Sequence, residues 1–389
     1  MTTPPREPAL SAQEPILNPA SLGACLTIAS IELLRHGTEF LVRIRSTDGA
    51  ESVTVPNSGQ LKLCYPIFLE RVAPFFIGED ACNLEALLER LYRDKSNYKF
   101  QGLAWWICVA AVEMGLLDLL GRVTGKAIGE LFGGVRRRDI PLYVASHERG
   151  NSPEAELDHL RALVGATGCR ALKFRVGGRM SANTENPAGR SEALIPLVRE
   201  AFGPEMTLYA DANSSFDVAH AVRLGRLMEA HDYAFFEEPC PFDHLWETRQ
   251  VTQALELPIA GGEQEVSLRR FQWLIENRGV DVVQPDLHYF GGYVRCTRVA
   301  RLAQAAGMPC TVHMSGWGLG YLNALHFASY IENPGPYQEF KGESTIPMEI
   351  SGSDLKCRDG SVRVPTGPGF GVQIDPAYVA KAQPVTSLN

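Results

Sequence analysis

The sequence predicts a barrel of eight β/α units preceded by a smaller α+β domain. Short apolar runs recur about every 25 to 35 residues after Asp139, which is the length of one strand–helix unit. Each run carries its ionisable residue at the C-terminal end, and in a parallel barrel those ends meet around one mouth. A doubly wound open sheet has the same alternation, so periodicity alone leaves both folds open. A length of 389 residues accommodates one barrel and one smaller domain.

The smaller domain is predicted over residues 21–137. Residues 24–55 have strand-like patterns broken by turn residues at Thr47, Asp48 and Gly49, which predicts a small antiparallel sheet. Residues 82–131 show apolar positions at i, i+3 and i+4 spacing, which predicts helices. The preceding residues 1–20 contain no apolar run of signal-peptide type, so they are predicted to form a flexible tail.

The barrel is predicted over residues 138–345. Its eight strands are predicted in the runs IPLYVAS, RALKFRV, MTLYADAN, DYAFFEEP, LPIAGGE, VDVVQPD, MPCTVHM and PYQEF. The last segment, residues 346–389, contains many Gly and Pro residues, which interrupt regular secondary structure, and is predicted to return toward the smaller domain.

The composition is that of a globular protein with a large core, since 45% of the residues are hydrophobic and 21% are charged. The net charge of −8 and the lack of a Lys/Arg stripe argue against a nucleic-acid partner. Nine cysteines without CxxC spacing predict reduced thiols in the cytoplasm. The most apolar stretch, residues 103–120, contains Glu113 and Asp118, which predicts a packed helix rather than a membrane span.

Three acidic residues occupy matching places in consecutive strands. Asp211, Glu237 and Glu263 end the third, fourth and fifth predicted strands at equal intervals along the chain. Carboxylates that converge in this way need a cation to offset their repulsion. An all-oxygen ligand set favours Mg²⁺, with Mn²⁺ as a substitute. The alternative is that the three acids form separate salt bridges.

The ordered motifs of the chain resemble those of the enolase superfamily, within it the mandelate racemase-like subgroup. The resemblance is carried by KFR at 173–175, DAN at 211–213, FEEP at 236–239, GGEQ at 261–264, QPDLHYFGG at 284–292 and TVH at 311–313. It implies a modified TIM barrel of (β/α)7β type, closed at its mouth by an N-terminal α+β capping domain. It also implies that Asp211, Glu237 and Glu263 are Mg²⁺ ligands and that the protein is a homo-oligomer.

An acid–base pair is predicted beside the metal site. His313 ends the seventh strand and Asp286 the sixth, so Asp286 can hold one imidazole nitrogen and raise the basicity of the other. The resemblance implies the same dyad. Lys173 and Arg175 project to one side of the second strand because their spacing matches the strand period. The resemblance also implies that Glu339, if protonated, donates a hydrogen bond to the substrate carboxylate.

The second position of the Lys-x-Arg motif decides between two reaction types. The resemblance assigns a base to the position of Arg175, but a guanidinium stays protonated at any useful pH. A racemase needs two bases, whereas a dehydratase needs one base and one acid. The sequence therefore favours dehydration of an aldonic or aldaric acid, a small hydroxy-carboxylate. A racemase, epimerase or cycloisomerase is the alternative, and a non-catalytic barrel scaffold or binding protein is the alternative from another class.

Further residues are candidates for contacts around the substrate. They are Asn213, His147, Glu238 and His288. Glu238 is expected to support the metal site, and His147 to meet a substrate hydroxyl. Residues 54–65 are expected to form a mobile loop over the mouth, where specificity is set.

Overall fold

The first domain begins with an antiparallel sheet. A computed structural model of the protein describes residues 14–386 except residues 24, 317–318 and 342–343. The strands of this sheet are β1 (Ile28–His36), β2 (Glu39–Ser46) and β3 (Glu51–Thr54). β2 pairs with both neighbours, and Gly37 supplies the positive φ of 61° that the β1–β2 turn requires. The predicted sheet of the smaller domain is therefore present.

Helices cover one face of this sheet. They are α1 (Ser58–Ile67), α2 (Ala73–Phe76), α3 (Leu84–Arg93), α4 (Leu103–Thr124) and α5 (Ile128–Leu131). α4 is long and apolar enough to span a membrane, but 89% of its most apolar window is buried inside the protein. Its two acidic residues bind backbone amides of the second domain: Glu113 accepts from Tyr293 and Val294, and Asp118 accepts from Phe370. α4 is thus the core helix that joins the two domains.

Two expectations for this domain need correction. Residues 58–65, expected within a mobile loop, form most of α1, because Asn57 caps the helix by accepting a hydrogen bond from Gln60 N at 3.2 Å. Residues 14–20, expected within a flexible tail, include the buried Ile16 and Leu17, whose amides both donate to Glu85. The rest of that predicted tail, residues 1–13, lies outside the described residues.

The second domain is a parallel barrel. Its strands are β4 (Asp139–Ala145), β5 (Ala171–Arg175), β6 (Thr207–Asp211), β7 (Phe235–Glu237), β8 (Ile259–Gly261), β9 (Val282–Val283) and β10 (Gln338–Phe340). They are hydrogen-bonded in the order β10-β4-β5-β6-β7-β8-β9. Residues 308–314, predicted as the seventh of eight strands, form only isolated bridges, which link Cys310 to Val283 and to Pro334, and His313 to Asp286. Pro285 and Pro309 have no backbone N–H to donate to a neighbouring strand, so the regular strand pairing here is short.

Helices alternate with the barrel strands. They are α6 (Pro153–Thr167), α7 (Arg190–Phe202), α8 (Val218–Ala230), α9 (Leu245–Ala254), α10 (Leu268–Glu276), α11 (Tyr293–Ala305) and α12 (Gly320–Tyr330). Inside the barrel, a separate apolar cluster contains Tyr143, Tyr209 and Phe235, and the last two rings stack at 3.8 Å. This cluster fills the interior below the strand ends, so the polar side chains gather above it.

The C-terminal segment follows the barrel and then rejoins the first sheet. Its elements are β11 (Met348–Ile350), β12 (Ser361–Arg363), β13 (Val372–Ile374), α13 (Pro376–Val379) and β14 (Gln383–Pro384). β12 pairs antiparallel with β4 of the barrel, whereas β14 pairs antiparallel with β1 of the first domain. The architecture is a modified TIM barrel with an N-terminal α+β capping domain, as predicted.

Candidate active site

Three carboxylates meet at the C-terminal ends of neighbouring barrel strands. Strand pairing places Asp211 beside Glu237, and Glu263 follows β8 after Gly262, whose φ of 113° turns the chain inward. One oxygen from each of the three acids lies within 4.8 Å of the others, and all three residues are buried. The convergence predicted from their equal spacing is present.

Two cationic side chains of β5 contact this cluster. Lys173 Nζ lies 2.8 Å from Glu237 Oε2 and 3.7 Å from Asp211 Oδ2, and Arg175 pairs with Asp211. Burial, the largest influence, would raise the pKa of Glu237, but the charges of Lys173 and Arg175 and the hydrogen bond from Lys173 together outweigh it, and the net pKa lies below its ordinary value. Glu237 also accepts a hydrogen bond from Gln284 Nε2 at 3.0 Å. These contacts fix Glu237 in its ionised form.

The donor set fits a hard divalent cation. Among the described residues, the buried Glu238 Oε1 has no hydrogen-bond partner, and the buried Glu263 Oε2 has none either, although His313 Nε2 lies 3.2 Å from it. Buried carboxylate oxygens without partners are costly unless something positive binds them. Oxygen ligands alone, without Cys or His, are the choice of Mg²⁺, Ca²⁺ or Mn²⁺.

A histidine–aspartate pair stands across from the carboxylates. His313 Nδ1 lies 2.7 Å from Asp286 Oδ2, and Asp286 Oδ1 accepts hydrogen bonds from His288 N at 2.7 Å and Tyr289 N at 2.9 Å. Asp286 also accepts from the Ser315 hydroxyl. Asp286 is thereby held rigidly, and its bond to Nδ1–H leaves His313 Nε2 as the nitrogen that can accept a proton. Nε2 lies 3.2 Å from Glu263 Oε2.

Glu339 lies between two ammonium groups, which corrects the expectation that it is a protonated donor. Its carboxylate is 3.3 Å from Lys173 Nζ and 3.2 Å from Lys341 Nζ, and it accepts a hydrogen bond from Met314 N. Burial would raise its pKa, but the charges of Lys173 and Lys341 hold the pKa well below its ordinary value. Glu339 is therefore ionised and has no proton to donate.

Lys341 is a site residue that sequence reasoning missed. It lies two positions after Glu339, so the strand period places both side chains on one side. That spacing was the available signal, and it is the same signal that paired Lys173 with Arg175. Lys341 Nζ also donates to Met314 O and lies 3.4 Å from His313 Nε2.

The other predicted contacts surround the same place, with one exception. His147 Nδ1 lies 3.3 Å from Arg175 Nη2, and burial together with the Arg175 charge lowers the pKa of His147 to about 4. Asn213 hydrogen-bonds Asp211, and burial followed by the Glu263 charge raises the pKa of Glu238. His288 is the exception, because it lines a neighbouring cavity against the capping domain.

A cavity of about 440 Å³ opens above the carboxylates. Its polar lining comprises His147, Arg175, Arg179, Asn213, Ser214, Glu238, Glu263, Gln264, Tyr289, His313, Ser315 and Lys341. Lys173, which has no exposed surface, is not part of this lining among the described residues. A ligand in the cavity would thus meet the imidazole of His313 but not the ammonium of Lys173.

The barrel and its carboxylate cluster define an enolase-like protein, since the Enolase C-terminal domain-like family profile matches residues 155–378. The profile of the mandelate racemase/muconate lactonizing enzyme N-terminal domain matches residues 29–133. The chain therefore belongs to the mandelate racemase/muconate lactonizing enzyme family. The resemblance seen in the sequence motifs is confirmed.

The names of several curated relatives identify them as enzymes that act on acid sugars or on a lactone of one. Arabinonate dehydratase of Saccharolobus solfataricus is 27% identical over 304 residues, which cover 77% of this chain and 78% of the relative. D-gluconate dehydratase of Thermoproteus tenax is 27% identical over 349 residues, which cover 88% of this chain and 69% of the relative. D-galactarolactone cycloisomerase of Agrobacterium fabrum is 28% identical over 312 residues, with coverages of 77% and 80%. Dehydratases are carbon–oxygen lyases, and the cycloisomerase represents the alternative class.

Solved structures share the fold over almost the whole chain. A Roseobacter denitrificans protein of proposed racemase activity has a TM-score of 0.85 and 33% identity, covering 93% of this chain and 99% of its own. A mandelate racemase/muconate lactonizing protein from Paracoccus denitrificans PD1222, crystallised with magnesium, has a TM-score of 0.84 and 26% identity, with coverages of 93% and 98%.

Proposed function

We propose that this protein is a Mg²⁺-dependent acid-sugar dehydratase that converts an aldonate or aldarate into a 2-keto-3-deoxy acid. The observation that carries the proposal is that, of the predicted bases His313 and Lys173 and the Arg175 that stands in a base position, His313 alone is placed to act as a base in the cavity. His313 lines it, whereas Lys173 is enclosed by carboxylates and Arg175 is paired with Asp211. A single base suits elimination, because racemisation needs a base on each face of the carbon.

Asp211, Glu237 and Glu263 would hold the cation. When bound, Mg²⁺ supplies positive charge that offsets the negative charge developing on the substrate carboxylate. The support for Mg²⁺ is the all-oxygen donor set and the magnesium complex of a similar protein. Glu238 stands beside these ligands, with an oxygen free of hydrogen bonds from described residues, and is a candidate for contact with a metal-bound water or substrate.

The proton transfers follow from the position of His313. Its Nε2 removes the proton on the carbon next to the carboxylate, and Asp286 stabilises the imidazolium that forms. The electron pair released from that C–H bond first spreads onto the carboxylate, giving an enediolate, and then forms the double bond between the α- and β-carbons as the β-carbon loses its hydroxyl. The hydroxyl leaves as water after taking the proton from His313. The resulting enol tautomerises to the keto acid, so atoms and charge balance.

Arg175, His147 and Asn213 are proposed to orient the substrate. All three line the cavity, and His147 is held against Arg175 by a contact of 3.3 Å. Because the pKa of His147 is low, its ring is neutral near pH 7; Nδ1 accepts from Arg175, so Nε2–H can donate to a sugar hydroxyl.

The test is incubation of the Mg²⁺-loaded protein in D₂O with arabinonate, D-gluconate, D-galactonate and D-xylonate, the acids named in its relatives. NMR follows exchange of the α-proton, and a keto-acid assay follows dehydration. A 2-keto-3-deoxy product that disappears in His313→Asn is expected. Exchange with epimerised substrate and no keto acid would contradict dehydration.

A cycloisomerase is the second candidate, favoured by the similarity to D-galactarolactone cycloisomerase. In this candidate His313 would remove a proton in the same way, but the substrate would be a lactone. The substrate that is turned over therefore distinguishes the two candidates. Turnover of D-galactarolactone without turnover of the open-chain acids would identify it. A binding protein without catalysis would show neither reaction, nor any thermal stabilisation by Mg²⁺.

A further inference from the structure

We propose that Lys341 binds the carboxylate of the substrate and stabilises the charge that this group gains when the α-proton leaves. The inference rests on the proposed function for the identity of the reaction. It assigns to Lys341 the donor role that the sequence had suggested for Glu339. Lys341 is therefore a catalytic residue in the sense that it touches the reacting group.

The first argument is the position of the ammonium. The Lys341 side chain is 8% exposed and lines the cavity above the carboxylate cluster. Its Nζ lies 3.4 Å from His313 Nε2, the atom proposed to receive the α-proton. The carboxylate of the substrate is bonded directly to the carbon that loses this proton. A carboxylate placed on Lys341 therefore puts that carbon next to Nε2, as proton transfer requires.

The second argument is the state of Glu339. This carboxylate contacts Lys173 and Lys341 and accepts a hydrogen bond from Met314 N, so it is saturated with positive partners. An ionised Glu339 would repel a substrate carboxylate if the two were in contact. Lys341 lies between Glu339 and His313 and presents the opposite charge to the cavity.

The third argument is the hydrogen bonding of Lys341. An ammonium has three N–H donors. One is used by Met314 O, and the ion pair with Glu339 at 3.2 Å also holds the group at the cavity wall. Another donor is within reach of His313 Nε2, which lies 3.4 Å from Nζ. A substrate oxygen can accept that donor instead, which frees Nε2 to act as a base.

The consequence for the reaction is electrostatic. As the C–H bond breaks, its proton moves to His313 and its electron pair spreads onto the carboxylate oxygens. A hydrogen bond from a cation to those oxygens strengthens in the transition state, since the charge there increases. Removal of such a donor costs about 100- to 1,000-fold in kcat in comparable sites.

The test compares Lys341→Met, which keeps the length and removes the charge, with Lys341→Arg, which keeps the charge. The expected result is a fall in kcat/KM of at least about 100-fold in Lys341→Met and a partial recovery in Lys341→Arg. Thermal stabilisation by Mg²⁺ should be unchanged in both. Lys99→Met, at an exposed lysine, is the matched control. A kcat/KM for Lys341→Met within about threefold of the wild type would overturn the inference.

A binding measurement separates this inference from the proposed function. The probe is glycolate, the two-carbon hydroxy-carboxylate common to every candidate substrate, titrated by calorimetry into the Mg²⁺-loaded protein. Lys341→Met should weaken glycolate binding about 10-fold or more, the equivalent of one charged hydrogen bond. If the wild type turns over no acid sugar, the proposed function fails while this titration still decides the role of Lys341. Absence of glycolate binding to the wild type, or equal affinity in Lys341→Met, would overturn the role.

Discussion

His313 Nδ1 and Asp286 Oδ2 lie 2.7 Å apart, in a pair whose aspartate is itself held by two backbone amides and a serine hydroxyl. This relationship fixes both the orientation and the tautomer of the imidazole. Nε2 therefore faces the cavity, 3.2 Å from Glu263 of the carboxylate cluster.

Replacement of the base should abolish turnover. We expect His313→Asn to lower kcat by about 100- to 10,000-fold, the usual contribution of a positioned general base. Mg²⁺ should still stabilise the variant against heat, because the three carboxylates are untouched. His244→Asn, at an exposed histidine, serves as the control and should retain full activity. Retention of dehydration by His313→Asn would mean that another group removes the proton.

Replacement of the partner should change the tautomer of the base. Asp286→Asn can keep the acceptor for the amides of His288 and Tyr289, but its amide nitrogen would then face His313 Nδ1. The imidazole would place its proton on Nε2 and could no longer accept one from the substrate. We expect kcat to fall about 10,000-fold, as in comparable triads, with little change in thermal stability. ¹⁵N NMR of the imidazole can report the tautomer directly, and an unchanged tautomer would contradict this explanation.

Loss of one carboxylate should remove the response to metal. We expect Mg²⁺ at 100 times its Kd to stabilise the wild type by about 2.7 kcal/mol. Glu237→Gln should lose most of this gain, because the neutral amide no longer balances the cation. Thermal unfolding with and without Mg²⁺ measures the effect, and Glu205→Gln, at an exposed glutamate, is the control. Equal stabilisation of Glu237→Gln and the control would show that the cation binds elsewhere.

A buried histidine distant from the site should make folding sensitive to acid. His326 on α12 donates a hydrogen bond to Phe370 O at 3.0 Å, and burial lowers its pKa from 6.5 to about 4. Because the folded pKa is depressed, the stability that the neutral ring provides is complete above pH 6.5. It is lost progressively as the pH falls toward 4. The full loss is about 3 kcal/mol.

His326→Gln provides the comparison, since its amide can donate to the same carbonyl but does not titrate. Urea unfolding at pH 7, 5.5 and 4.5 should give a wild-type free energy that falls more steeply than that of the variant. The difference between the two slopes isolates His326 from the carboxylates that also titrate. Parallel slopes would mean that the ring is already protonated in the folded state, or that it reaches water.

Much of the site follows from strand ends in the sequence. Asp211, Glu237 and Glu263 converge because parallel strands present equivalent positions at the same height, which their equal spacing already reveals. Asp286 and His313 meet for the same reason. The ion pairing around Glu339 was not predictable in this way. It depends on the spatial arrangement of Lys173, on β5, and Lys341, which follows β10.

The fold was predicted best where the periodicity is regular. The sheet of the capping domain and most barrel strands follow their patterns, whereas Pro285 and Pro309 shorten the pairing of the last strands before β10. Residues 58–65 resembled a loop because Ser, Gly and Gln begin the segment, yet these residues form the first turn of α1. The homo-oligomeric assembly and the cytoplasmic location stay predictions.

The pairing of β14 with β1 has a further consequence for how the capping domain can move. The polypeptide leaves that domain after α5 and re-enters it at Gln383, so two separate stretches of backbone tether it to the barrel. A protease cut in either stretch would leave the other intact, and the nicked protein would remain one particle. Any closing motion of the domain must also be one that both stretches can follow.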